Sequence, residues 1–164
     1  MVGGGEGEQL WFLGTLAIIR IPGEPVKGRF SLTEFVFRRH TSPALHMHPQ
    51  DESYIVADGL VTVQAGHERF DLSPGGAAVI PAAIPQTFRV ESETARVLVL
   101  STPAGIERLV RDAAVPACSP TLPPPDAPRP TPEEVALIYR KHACHEVGRR
   151  LGPDDGSVRR WPVE

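Results

Sequence analysis

His46-Met47-His48-Pro49-Gln50-Asp51-Glu52 places three good metal-binding side chains within seven residues of this chain. Residues two apart on a strand point to the same side, so His46 and His48 can reach into one cavity. Pro49 cannot donate to a strand ladder and should mark a bend, after which an extended run can bring the Glu52 carboxylate back to the same point. Two imidazoles and a carboxylate, with positions left open, suit a divalent transition metal. The alternative is an exposed loop rich in histidine and acid, because short ligand motifs also arise by chance.

The sequence around this stretch predicts an all-β domain over residues 10–102. Short apolar or alternating runs are separated by turn residues such as Pro22-Gly23, Asp58-Gly59 and Ser73-Pro74-Gly75-Gly76. Eight or so short strands at this spacing are typical of a sandwich or a jelly-roll barrel. The predicted strands are Leu10–Ile21, Phe30–His40, Glu52–Ala57, Leu60–Ala65, Glu68–Leu72, Ala77–Ile80, Gln86–Val90 and Ala95–Leu100.

The character of the sequence changes beyond this domain. Residues 103–115, with a cap at Thr102 and a first-turn proline at Pro103, predict a helix. Residues 116–132 contain eight prolines in seventeen positions, which predicts an extended, semi-rigid linker. A capping box at Thr131-Pro132-Glu133-Glu134 predicts a second helix over residues 133–148. Residues 1–9 and 149–164 are predicted to be flexible.

Composition narrows the classes of function. The formal net charge is −3, the pI is near 6.1, and no basic stripe is present, which argues against nucleic-acid binding. The sequence has no apolar run of membrane-spanning length and no evident signal peptide, so we expect a soluble, cytoplasmic protein with no membrane partner. Cys118 and Cys144 lack metal-type spacing and are expected to be free thiols.

The chain resembles the cupin superfamily through two motifs. The first, Gly-x5-His-x-His-x3/4-Glu-x6-Gly, is matched by His46, His48, Glu52 and Gly59, although its leading glycine is absent because position 40 is histidine. The second, Gly-x5-Pro-x-Gly-x2-His-x3-Asn, is matched at Gly75 and Pro81 only. Ala83, Gln86 and Val90 replace its second glycine, histidine and asparagine. The resemblance covers residues 10–102 and implies a cupin jelly-roll barrel, here with a C-terminal helical extension.

Gln86 is the departure that matters most, because cupins use that position for a fourth ligand. An amide oxygen is a hard, neutral and weaker donor than an imidazole. Three interpretations remain open. Gln86 can be a weak ligand beside His46, His48 and Glu52, which suits Fe(II). It can donate its NH₂ group to a substrate or to metal-bound water, or it can fill space in a decayed site.

The resemblance implies a function as well as a fold. Among small cupins the chain is similar to quercetinase-like dioxygenases of bacterial secondary metabolism, which implies oxidation of a phenolic or enol-type small molecule by O₂. The implied cofactor is one divalent metal ion per chain, with Fe(II) favoured over Ni, Mn or Zn, and Glu52 is the implied ligand or proton acceptor. Two alternatives are a redox-neutral, metal-assisted cyclase or isomerase of polyketide type, and a non-catalytic small-molecule binder.

Several other residues are candidates for the site or for assembly. Tyr54 and Phe88 lie two residues beyond Glu52 and Gln86, so they are predicted either to line the pocket or to pack in the core. His142, Cys144 and His145 are interpreted as a docking surface of the second helix. Arg38 and Arg39 can meet an anionic substrate or remain solvated at the barrel rim. A homodimer is expected, in which Leu10–Ile21 or the C-terminal helix crosses to the partner.

Overall fold

The computed structural model describes residues 7–155, and two antiparallel sheets form its architecture. The seven-stranded sheet has the order β11-β1-β2-β3-β10-β5-β8, and the five-stranded sheet has the order β12-β4-β9-β6-β7. The strands are β1 (Glu8–Phe12), β2 (Thr15–Ile21), β3 (Ser31–Arg38), β4 (Leu45–Met47), β5 (Asp51–Asp58), β6 (Val61–Ala65), β7 (Glu68–Leu72), β8 (Ala77–Ile80), β9 (Gln86–Val90), β10 (Thr94–Thr102), β11 (Ala114–Pro116) and β12 (His145–Gly148); the helices are α1 (Ile106–Ala113) and α2 (Pro132–Lys141). The predicted all-β jelly roll with a C-terminal helical extension is confirmed.

The core lies between the two sheets and follows from alternation along the strands. In β5, Glu52, Tyr54 and Val56 are buried while the intervening side chains are more exposed. Side chains of a strand alternate between faces, so one buried face of this strand meets the facing sheet. Val63 of β6 and Val90 of β9 are fully buried opposite it. The same alternation that fills the core therefore points Glu52 and Tyr54 inward together.

The N-terminal part of the barrel differs from the prediction of one long strand. Leu10–Ile21 is divided between β1 and β2, which pair as a hairpin. Leu13 and Gly14 make the turn with φ angles of 48° and 88°, and glycine accepts such angles without steric cost. The continuous apolar run concealed this turn, because only one of its two residues is a usual turn former.

The first helix is shorter than predicted. It spans Ile106–Ala113 with Gly105 at the N-cap, so the expected cap at Thr102 and first-turn Pro103 are wrong. Residues 114 and 115, predicted as helix, and Pro116, predicted as linker, form β11 and pair with β1. The linker that follows lies against the barrel, where Trp11 Nε1 donates to the carbonyl of Thr121 at 2.9 Å.

The second helix begins as predicted but ends early. Thr131 and Glu134 form the expected capping box, with Pro132 in the first turn. The helix ends at Lys141, and residues 145–148, predicted to be helical, form β12 and pair with β4 of the same chain. We call residues 132–148 the C-terminal arm. In this single chain both β1 and the arm pack on their own barrel, and the homodimer with its crossing segment stays a prediction.

The chain beyond the arm is partly ordered, contrary to the predicted flexible tail. Arg149 and Asp155 form a bidentate ion pair at 2.6 and 2.5 Å, and Leu151 is buried. Residues 156–164 and 1–6 lie outside the described part of the chain, so those stretches of the predicted flexible termini are not tested. Cys118 and Cys144 are free thiols, as expected. Neither helix in residues 7–155 has the length and apolar character needed to span a bilayer.

Replacing Gly59 with alanine should destabilise the fold far more than the same change at Gly75. Both glycines have a φ of 86°, so both substitutions carry the backbone strain of about 1–3 kcal/mol expected for a left-handed residue. A Cβ at Gly59 would also lie 2.4 Å from the Thr94 carbonyl oxygen, whereas Gly75 has open space. Urea denaturation should show Gly59→Ala losing at least about 1 kcal/mol more than Gly75→Ala. Equal losses would contradict the crowding described at Gly59.

Candidate active site

Three strands from both sheets bring the motif residues to one end of the barrel. His46 lies on β4 and pairs with Gln86, the first residue of β9, in the five-stranded sheet. The chain bends at Pro49, and β5 then carries Glu52 and Tyr54 in the seven-stranded sheet. The predicted bend therefore returns the carboxylate to the histidine segment, as the sequence pattern indicated.

Four buried side chains form one hydrogen-bonded cluster, which we call the buried quartet: His48, Glu52, Tyr54 and Gln86. Their exposed fractions are only 2–6%, so water cannot replace the contacts among them. The Gln86 amide nitrogen lies 2.8 Å from Nε2 of His48 and 3.1 Å from Oε2 of Glu52. The Tyr54 hydroxyl lies 2.9 Å from the same Glu52 oxygen and 3.0 Å from Oε1 of Gln86.

The hydrogen bonds of the quartet leave two polar groups unsatisfied: one of the two acceptors of the Tyr54 hydroxyl, and Nδ1 of His48. The Tyr54 hydroxyl has one proton but faces two acceptors, Glu52 and Gln86. Because the Gln86 amide donates to Nε2 of His48, the proton of a neutral His48 ring belongs on Nδ1, which is buried with no hydrogen-bond partner among the described residues. Unpaired buried polar groups are costly. The quartet is therefore held together without being fully satisfied.

Electrostatics within the quartet favour an ionised Glu52 beside a neutral Tyr54. Burial raises the pKa of Glu52, but the hydrogen bond and charge that His48 provides when it is protonated, with contributions from His46 and Tyr54, lower it by more, so the net pKa lies below the ordinary value. Burial, together with the neighbouring Glu52, raises the pKa of Tyr54 well above its ordinary value. The site thus holds a carboxylate and a phenol proton in direct contact at neutral pH.

His46 lies beside the quartet rather than within it. Its ring centroid is 5.7 Å from that of His48, and its Nδ1 lies 2.8 Å from the Ala44 carbonyl oxygen. That contact assigns the ring proton to Nδ1 and leaves Nε2 as a lone-pair donor, the arrangement in which imidazoles ligate metals. Burial lowers the pKa of His46, which the Ala44 carbonyl and Glu52 partly offset. A neutral imidazole therefore lines the cavity next to Glu52 and His48.

The site can be tested for its fit to a metal ion. Two atoms that share an ion at about 2.1 Å lie about 3.0–3.4 Å apart. His48 Nε2 and Glu52 Oε2 are 3.4 Å apart, and the Gln86 amide nitrogen lies at 2.8 and 3.1 Å from them. The spacings of 3.4 and 3.1 Å lie within this range, and the spacing of 2.8 Å lies just below it, as expected for a hydrogen bond. Gln86 could serve as a ligand only through its oxygen, by giving up its present hydrogen bonds.

His46 does not complete that set. Across residues 7–155, no three His, Cys, Asp or Glu side chains converge in a metal-holding group. Of the predicted set of His46, His48 and Glu52, only His48 and Glu52 lie next to each other, and Gln86 contacts both. A weak site of mixed nitrogen, carboxylate and amide character fits these residues better than four strong ligands.

Three members of the quartet, His48, Glu52 and Tyr54, line a cavity of about 1200 Å³, and Gln86 lies behind them. Phe37 and Phe88 line it with ring centroids 4.9 Å apart, and Tyr54 meets Phe88 edge-on at 6.1 Å. Tyr54 also belongs to the buried core, so it both lines the pocket and packs in the core. An aromatic wall beside a few convergent polar groups is the usual composition of a small-molecule site.

The C-terminal arm forms another wall of this cavity, which the sequence did not predict. Tyr139, Cys144, His145 and Glu146 all line it, and Glu146 pairs with His46 in the β12–β4 ladder. The docking interpretation is correct for His142, whose Nε2 lies 2.5 Å from Asp112 of α1. His145 is on a strand rather than on the predicted helix. Nothing in the sequence around Cys144 signals that it returns to the site, because its position depends on tertiary packing.

Comparison with known proteins agrees with this architecture. Two sheets closing on an aromatic-lined cavity define a double-sheet jelly roll. The Cupin domain family model matches residues 33–102, and this part of the chain is a small cupin domain. No curated protein sequence matches the chain.

Solved structures with the same fold include three with TM-scores above one half. KdgF from Halomonas sp. has a TM-score of 0.53 and 22% identity, over 58% of this chain and 84% of that protein. An RmlC-like cupin from Shewanella frigidimarina has a TM-score of 0.55 and 12% identity, over 65% of this chain and 94% of that protein. A sugar phosphate isomerase of the cupin superfamily from Silicibacter pomeroyi has a TM-score of 0.54 and 17% identity, over 64% of this chain and 76% of that protein. At these identities the likeness concerns the fold.

Thiol labelling tests whether the arm covers the site. Cys144 is 6% exposed, and burial raises its pKa to about 12, whereas Cys118 is exposed. In the Cys118→Ser variant, Cys144 should react with an aromatic disulfide reagent at pH 8 at least about a hundredfold more slowly than Cys118 does in Cys144→Ser. Urea should abolish the difference. Equal rates in the native protein would mean that the arm does not close over the cavity.

Proposed function

We propose that this cupin is an enzyme that acts on a small phenolic or enol-type molecule with the help of one divalent transition metal ion. The observation that carries the proposal is that His48, Glu52 and Tyr54, which Gln86 joins into the buried quartet, form part of the wall of the aromatic-lined cavity. A purely structural cluster would not need to face a cavity large enough for a ring-bearing ligand. Perturbed titratable groups in such a cavity mark a candidate catalytic site.

The residues that would hold the ion are His48 and Glu52, with the Gln86 amide oxygen as a weak third donor and His46 beside them. If His46 supplies a second nitrogen from its position beside the quartet, the set of two imidazoles and one carboxylate favours Fe(II), with Ni, Mn or Zn as the alternatives. When bound, such an ion supplies Lewis acidity to an enolate or phenolate oxygen and, if it is redox-active, electrons to O₂. The arm and the aromatic wall enclose the same space.

The protein's own side chains orient the substrate and hold its proton. Phe37 and Phe88 can contact a substrate ring, because both line the cavity next to the quartet. Glu52 is ionised and can accept the proton of a phenol or enol, while Tyr54 keeps a hydroxyl proton in contact with that carboxylate. Proton acceptor and donor are thus adjacent, which general acid–base catalysis requires.

The reaction that we propose first is oxidation by O₂, on the basis of the resemblance to quercetinase-like cupins. A redox-neutral cyclisation or isomerisation is the second candidate. The Glu52–Tyr54 contact favours this candidate, because it can remove one proton and return another without any change in oxidation state.

Metal content tests the proposed ligands. Wild-type protein prepared without chelators and without oxygen should carry about one divalent ion per chain, most of it iron. His48→Ala should carry almost none, because it removes the imidazole that adjoins both Glu52 and Gln86. His67→Ala removes an exposed histidine of a turn outside the cavity and should keep the metal. Wild-type protein that neither carries nor takes up a divalent ion would contradict every metal-dependent function proposed here.

The same measurement on two variants of Gln86 assigns the role of the amide. Gln86→His supplies a stronger donor and should bind metal more tightly, with a shift toward Zn or Ni. Gln86→Ala should lose metal if the amide is a ligand, and should keep metal but turn over poorly if the amide contacts the substrate. If both variants bind metal and turn over substrate as wild type does, Gln86 only fills space in the site.

Oxygen consumption separates the two reactions. With quercetin as a probe phenol, the iron-loaded protein should consume O₂ in step with loss of the flavonol absorbance, and Glu52→Gln should slow both by at least about a hundredfold. Disappearance of the absorbance without oxygen uptake would replace oxidation with redox-neutral chemistry. Tight binding of a panel of phenols and enols without any turnover would identify a non-catalytic binder.

A further inference from the structure

The cavity is lined by more cationic than anionic side chains, which is the reverse of the whole chain. The chain has 17 basic and 20 acidic residues and a net charge of −3. Within residues 7–155, only Glu52 and Glu146 contribute carboxylates to the cavity wall. Five exposed arginines line it, and we call them the arginine rim: Arg38, Arg39, Arg129, Arg140 and Arg150.

The arginine rim differs from the other arginines in its partners. Among the described residues, no rim arginine forms an ion pair with a carboxylate. Outside the rim, every described arginine except Arg29 forms one: Arg20, Arg69, Arg89, Arg96, Arg108, Arg111 and Arg149. The sequence therefore places acidic partners beside its other arginines and leaves those at the cavity without one.

Two rim arginines are held in place without being neutralised. Arg38 Nη2 donates to the Pro123 carbonyl at 2.7 Å, and Arg129 Nη2 donates to the Pro125 carbonyl at 3.1 Å. Each guanidinium has five N–H donors, so most remain available. The proline-rich linker thus orients two cationic groups at the cavity, and this pre-organisation lowers the entropic cost of binding an anion.

We propose that the substrate of this site is a hydrophobic organic anion, with its ring in the aromatic part of the cavity and a carboxylate, sulfate or phosphate group at the arginine rim. Planar guanidinium groups match the oxygens of such anions and bind them with paired hydrogen bonds. A cluster of one charge sign at the mouth of an apolar cavity also concentrates ligands of the opposite sign. This inference rests on the proposed function, because it describes the substrate of that same site.

A matched pair of fluorescent probes tests the inference. 1-Anilinonaphthalene-8-sulfonate and N-phenyl-1-naphthylamine share one ring system and differ by the anionic group. Wild-type protein should bind the sulfonate with one-to-one stoichiometry and at least about fivefold more tightly than the neutral probe. The sulfonate should displace the neutral probe, and the preference should shrink in 1 M NaCl, where the screening length falls to about 3 Å.

Variants identify the rim as the cause. The triple variant Arg39→Gln/Arg140→Gln/Arg150→Gln removes three rim charges that make no ion pair in the described chain, so the fold should be retained. It should lose the preference for the sulfonate and bind the neutral probe within about twofold of wild type. Arg29→Gln removes an exposed arginine away from the cavity and should change neither affinity.

The outcomes distinguish this inference from the proposed function. Equal affinity for both probes in wild type, or an unchanged preference in the triple variant, would overturn the anionic substrate while the apolar cavity and its proposed chemistry stand. Failure of both probes to bind would contradict the ligand cavity itself, and with it the proposed function.

Discussion

The amide group of Gln86 joins the two sheets at the open end of the barrel. Gln86 begins β9 in the five-stranded sheet, and its partner Glu52 lies on β5 in the seven-stranded sheet. The amide nitrogen also contacts His48, so one side chain fixes the positions of an imidazole and a carboxylate. Because all of these groups are almost fully buried, the arrangement of the site depends on this amide more than on any other single group.

The same amide sets the balance between a hydrogen-bonded site and a metal-bound site. Each hydrogen bond contributes about 0.5–1.5 kcal/mol, and a buried group left unpaired costs about 1–3 kcal/mol. An ion that recruited the Gln86 oxygen would have to offset the loss of the contacts to His48 and Glu52. It would also leave Tyr54 with one acceptor and one donor in place of two competing acceptors. The unpaired groups of the quartet favour a bound ion and the cost of turning Gln86 opposes it, which predicts metal binding weaker than that of a site with four strong ligands.

Local sequence patterns predicted most of the barrel and the inward positions of Glu52 and Tyr54 in the site. Alternation in β5 places Glu52 and Tyr54 together, the bend at Pro49 follows from the missing N–H of proline, and the capping box starts α2 within one residue of the expected position. The turn at Leu13 was hidden in a continuous apolar run. The position of His46 beside the quartet, the strand β12 and the wall that includes Cys144 could not be predicted, because each depends on the docking of segments distant in the sequence.

Nuclear magnetic resonance of the Gln86 side-chain amide tests this central role most directly. In metal-free protein labelled with ¹⁵N, the two amide protons should exchange slowly with solvent, and a coupling across the hydrogen bond should connect the Gln86 nitrogen to Nε2 of His48. Addition of Zn²⁺ as a diamagnetic probe ion should abolish the coupling and shift both resonances. A Gln86 amide that exchanges as fast as a surface glutamine, with no coupling to His48, would contradict the account.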